Sequence, residues 1–86
     1  MSNQKEEILV GKITHFFQKI MVAVLKLSKS LEMGDEIRIQ GGEVDFTQKV
    51  KSMEMDHQKV KKAKAGQSVG MKVEAKVHPG YKVFKI

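Results

Sequence analysis

EVDFTQKVKSMEMDHQKVKKAKA, residues 43–65, contains neither glycine nor proline and admits two readings. Taken at intervals of four and three, Phe46, Val50, Met53, His57 and Val60 form the stripe of one helix face, with Gly66 suited to the position just past its end. Taken at intervals of two, Val44 and Phe46 share one face of a strand, and the odd step of three from Val50 to Met53 becomes a bulge. The first reading makes an α+β protein and the second an all-β one. Residues 17–31 are ambiguous in the same way, so periodicity alone leaves both open.

Outside this stretch the chain reads as strands punctuated by glycine. In EILVGKITHFF (7–17), Ile8 and Val10 are two apart, and Gly11 marks a bulge or a close backbone approach. KIMVAVLKLS (19–28) alternates Val22 and Val24 with Ala23 and Leu25, apolar on both faces. In LEMGDEIRIQGG (31–42) a Gly34-Asp35 turn precedes Ile37 and Ile39, which face one side. SVGMKVEAKV (68–77) alternates Val69, Met71 and Val73, Pro79-Gly80 is a turn, and YKVFKI (81–86) is a last short strand. Residues 1–6 are polar and are expected to form a flexible tail, leaving 7–86 as a single domain.

Eighty-six residues leave no room for a separate catalytic module. With 41% hydrophobic and 30% charged residues the chain is globular in composition, and without cysteine it has no disulfide or thiolate metal site. The N-terminal residues lack the apolar core of a secretory signal. The longest wholly apolar run, residues 20–25, is far short of the ~20 residues of a helical membrane span, so a cytoplasmic protein without membrane attachment is expected. A net charge of +6 and a pI near 9.7 favour polyanionic partners.

The strongest candidate site is the basic group His57, Lys59, Lys61, Lys62 and Lys64, which Lys49 and Lys51 could extend, as could Lys72. Ammonium groups of this density can contact phosphates without reading base sequence, whereas the plainer reading is a solvated connection diluted by Glu54, Asp56 and Glu74. Phe16, Phe17 and Tyr81 are candidate stacking surfaces, while Phe46 and Phe84 belong to the core, and one of Phe16 and Phe17 must point outward in a strand. His15, His57 and His78 show no ligand spacing, so no metal is expected. Asp35 and Glu36 would point to opposite faces of a strand, and no serine has a nucleophile context. A non-enzymatic protein without a cofactor is the expectation. The methionines fill core gaps, Met53 and Met71 best of all.

The residues 31–41 and 50–73 resemble domain II of the translation GTPases, the small β-barrel that follows the nucleotide-binding domain in elongation factor Tu. The features that carry the resemblance are the Gly34-Asp35 turn, Val50, Ser52 and Met53, the basic connection, then Ala65-Gly66 and Val69-Gly70. VGKITHFF is similar to that family's first strand, which extends the likeness from Val10 to Ile86. The resemblance implies a small closed antiparallel β-barrel. It also implies binding to RNA (tRNA or ribosomal RNA) or to the ribosome through His57, Lys59, Lys61, Lys62, Lys64, Lys49 and Lys51. The phosphate loop of a GTPase is absent from the sequence, and so is the glycine-rich turn of the first hairpin. The same barrel type resembles the accessory domain at the end of the collagenase-like U32 peptidases. The alternative function is therefore a protein-interaction or accessory subunit of a larger enzyme, either U32-peptidase-like or a GTPase partner.

Overall fold

The computed structural model describes residues 7–42 and 44–86. The tail expected at 1–6, and Glu43 within the deciding stretch, lie outside the described residues. The rest form ten strands and no helix: β1 (Ile8–Phe17), β2 (Val22–Leu27), β3 (Leu31–Glu32), β4 (Glu36–Gly41), β5 (Val44–Lys49), β6 (Glu54–Met55), β7 (Gln58–Lys59), β8 (Lys62–Ala63), β9 (Ser68–Lys72) and β10 (Lys82–Lys85). Eight of them make one sheet in the order β5-β4-β10-β1-β2-β9-β6-β7, and β3 pairs with β8 in a small second sheet. All pairings are antiparallel.

The deciding stretch is read by twos. Along β5, Val44, Phe46 and Gln48 turn inward while Asp45, Thr47 and Lys49 are exposed, and Val50 continues the inward series. The inward position between Phe46 and Val50 is thus a glutamine, which hides the alternation from a count of apolar residues. The step of three from Val50 to Met53 is not a bulge within one strand. After Val50 exchanges hydrogen bonds with Asp35 O and Gly34 N, both 2.9 Å, the chain leaves the ladder and rejoins it at Glu54. Intervals of four and three arise from this break, and the helical stripe is a coincidence of strand geometry. The helical reading of residues 17–31 fails likewise, because β2 buries Ala23, Leu25 and Leu27 by twos.

Glycine acts where a side chain has no room. A Cβ on Gly11 would lie 2.6 Å from the carbonyl oxygen of Lys26 on β2, and the β1–β10 register shifts between Leu9 and Gly11 as a bulge. Gly34 has φ +89° in the turn before β4, and the Asp35 carboxylate accepts from the Glu32 amide at 2.9 Å, fastening that turn.

The core gathers Val10 and Ile13 of β1, the inward face of β2, Leu31, Ile37, Ile39, Val50, Met53, Ala63, Val69, Met71, Val73, Val77 and Val83. Phe16, Phe46, Met55, Val60 and Tyr81 pack on it from the side. Met53 and Met71 are buried as expected. Phe84 is only half-buried, and of the adjacent pair Phe17 points outward, 52% exposed.

The expectation of a closed barrel is met only in its coarser form, an all-β antiparallel fold. Among the described residues no backbone ladder returns β5 to the far end of the sheet. A side chain does link β5 to the chain at the end of β9. Gln48, 6% exposed, donates from Nε2 to Lys72 O at 3.0 Å and accepts from Glu74 N at 2.9 Å through Oε1. Its amide stands in for a peptide group between β5 and the chain leaving β9, with donor and acceptor both satisfied.

Candidate functional site

The basic residues run from the end of β5 through the short strands and connections that lead to β9, and their surroundings are mixed in charge. The β6–β7 hairpin turns through Asp56 and His57, both in the left-handed region at φ 51° and 65°. His57 therefore stands exposed at a hairpin tip. Lys59 lies opposite Glu54 across β6–β7, Lys62 opposite Glu32 across β3–β8, and Lys49 opposite Glu36 across β4–β5. Directly opposed residues point to the same face, so each of these lysines has a carboxylate for a neighbour. Lys51 lies beyond the end of β5 and pairs with Glu74 at 3.0 Å. Among the described residues Lys61 and Lys64 are opposed by no acidic side chain. The seven predicted residues do not form one uniform positive face.

Three of them do converge. Lys51, Lys59 and Lys61 rim an open groove of about 350 Å³ that is lined also by Met33, Ser52, Met53 and Val60. Lys49, Lys62 and Lys64 do not line it, nor does His57. Met33, at 40% exposure, is the residue of this groove that sequence reasoning missed. Its only signal is its place two residues after Leu31, beside a turn.

A second depression, about 320 Å³, lies at the far end of the β1–β2 hairpin and brings together His15, Phe16, Phe17, Lys76, Val77 and His78. His15 and His78 are remote in sequence, and nothing in the residues signals their approach. The His78 ring meets Tyr81 edge-on, with centroids 5.6 Å apart. Among the described residues no group of three or more His, Cys, Asp or Glu could hold a metal ion, and no helix is long and apolar enough to cross a membrane.

The acidic side chains serve the scaffold. Asp35 fixes the turn before β4 and approaches Lys85 at 3.3 Å. Arg38 on β4 bonds Asp45 on β5 and reaches Glu7 at 2.6 Å. The hydrogen bonds that Arg38 donates to Asp45 and then to Glu7 raise the guanidinium pKa further, and Arg38 in turn holds the Asp45 carboxyl below the ordinary aspartate range.

No family model matches the chain. Over 84 residues, 96% of this chain, it is 33% identical to an uncharacterized protease of Methanocaldococcus jannaschii, of whose length it spans 21%. It is 35% identical over 83 residues to a collagenase of Porphyromonas gingivalis, covering 94% of this chain and 20% of that protein. The chain thus spans about a fifth of the length of the curated relatives it matches. In fold it is similar to the crystal structure of the C-terminal domain of a Geobacillus thermoleovorans protein named for the U32 peptidases. That likeness has a TM-score of 0.85 at 22% identity and covers 98% of this chain and 99% of that domain. These relatives overturn the translation-factor reading, and with it the RNA and ribosome partners assigned to the lysines. The carboxylates facing Lys49, Lys51, Lys59 and Lys62 interrupt the extended positive face that a nucleic-acid backbone needs, which gives the correction its physical reason. The similarity to the U32 C-terminal domain stands.

Proposed function

We propose that the chain is a non-catalytic accessory domain serving a U32-type peptidase, with residues 7–86 acting as one protein-contacting unit. The observation that carries this reading is the fold match to a U32 C-terminal domain, with a TM-score of 0.85 over 98% of this chain and 99% of that domain. The relatives are several times longer, which leaves ample chain elsewhere in them for catalysis. In this domain Asp35 fastens a turn, Asp45 pairs with Arg38 across β4 and β5, and Glu74 pairs with Lys51. The domain would bind either the peptidase core or the polypeptide presented to it. Gln48 supports the further view that the sheet wraps into a barrel sealed by a side chain.

The test uses a U32 protease from which the matching C-terminal segment has been deleted. Purified chain added in trans is expected to co-elute with that core, or with gelatin, and to alter the rate of gelatin cleavage, while cleaving nothing alone. Hydrolysis by the chain alone, constant in specific activity through a second purification, overturns the non-catalytic assignment. Failure to associate with either protein overturns the accessory role.

A further inference from the structure

The groove at the seam of the two sheets has a composition that a solvated connection does not need. Residues 59–61 cross from β7 to β8, and two hydrogen bonds hold them there. Val60 N donates to Met53 O and Met33 N to Lys61 O, each at 2.9 Å. The backbone thus places Met33, Met53 and Val60 as an apolar floor, with Lys51, Lys59 and Lys61 around it. Met53 is buried and Val60 half-buried, but Met33 leaves two-fifths of its surface in water, at 40% exposure. A methionine in that position is an adaptable apolar contact. Ammonium groups around an apolar floor suit a ligand that is apolar at its centre and anionic at its ends. Lys51 already shows the chemistry in miniature, holding the carboxylate of Glu74 at 3.0 Å. A second copy of this chain is a poor occupant, because each copy carries a net charge of +6.

We infer that this groove binds an acidic segment of polypeptide, one apolar side chain seated on Met33 and Val60 and flanking carboxylates against Lys59 and Lys61. The inference rests on the accessory-domain reading and supplies the chemistry of the protein that reading requires. Charge complementarity selects the segment, and the floor selects its central residue.

Fluorescence polarisation with the whole 86-residue chain tests it. The probes are a labelled hexapeptide with glutamates flanking a leucine, its lysine-flanked counterpart, and a version with serine for leucine. The glutamate–leucine peptide is expected to bind tightest, and more weakly as salt rises from about 0.05 to about 0.5 M. The K59E/K61E variant should lose roughly tenfold or more in affinity. Both side chains are exposed, so folding should survive, and the milder K59Q/K61Q variant gives the same test with a smaller loss. Equal affinity for the glutamate- and lysine-flanked peptides, or unchanged affinity in both variants, overturns the inference. So does salt-insensitive binding, or self-association abolished by K59E/K61E. The core co-elution assay is read separately. A chain that binds the acidic peptide but neither core nor gelatin upholds the groove and sinks the accessory role. A chain that binds core or gelatin but not the peptide does the reverse.

Discussion

At the scale of single residues, the side chains that matter most are polar ones doing backbone work. Gln48 satisfies Lys72 O and Glu74 N from a buried position. Replacing it with methionine keeps most of the volume but strands both groups, so Gln48→Met should cost about 1–3 kcal/mol in urea unfolding. The same residue explains why the sequence was misleading. A glutamine at an inward position removes the beat between Phe46 and Val50, and only the partner amide and carbonyl, some twenty-five residues downstream, justify it. Ile37, Ile39, Val69, Met71 and Val73, whose inward neighbours are all apolar, were legible as strand faces directly. Asp45 carries a different prediction. Its carboxyl pKa is lowered in the folded protein, so its pairing with Arg38 favours folding above the ordinary aspartate pKa and is lost as pH falls through the depressed value. Asp45→Asn should therefore lower the melting temperature at neutral pH. Thermal melts in acid below the normal aspartate range should bring variant and wild type together. A gap of constant size down to strongly acidic pH would contradict the pairing.

Elements raise a different question, which is how two-residue strands hold a shape at all. β6 and β7 are each two residues long and are joined by Asp56 and His57, both at positive φ. Turns of this hand match the twist of a hairpin but favour glycine at the second position, and a histidine there is strained. His57→Gly should accordingly stabilise the protein by about 1 kcal/mol, measured as a rise in the urea midpoint with unchanged slope. His57 was singled out in the sequence for its charge. Its position is better described by the backbone it has to adopt, which no composition reveals. The lysine run tells the same story. Lys49, Lys59 and Lys62 read as a positive patch only while their cross-strand neighbours Glu36, Glu54 and Glu32 are unknown. Registers between short strands are set by tertiary pairing, so the groove of Lys51, Lys59 and Lys61 with Met33 could not be assembled from spacing. Val60 on its floor was visible, but as a member of a false helix.

For the molecule as a whole, topology sets the terms. The sequence showed strands and turns, and its likeness to a small translational barrel and to the U32 accessory domain gave two functions, of which only the second agrees with the relatives found. Nothing local could choose between them, since the turn at Gly34-Asp35 and the glycines at Gly66 and Gly70 are compatible with either likeness. The order of the strands was equally hidden. β10, the last of the ten strands in sequence order, lies between β1 and β4 and joins the β4–β5 hairpin to the rest of the sheet. Removing residues 81–86 should abolish the cooperative thermal transition and leave a chain with collapsed amide dispersion in NMR spectra. A truncated chain that still melts cooperatively would show that β10 is dispensable. In the intact protein so many pairings are distant in sequence that refolding should take on the order of milliseconds to seconds, which stopped-flow measurements can check. The position of β10 also bears on how the protein is made. While it is being synthesised, β1 and β4 already exist with their facing edges bare, and their shared partner is the last of the ten strands to emerge. Assembly must wait for it, and until then those edges are open to any extended chain nearby.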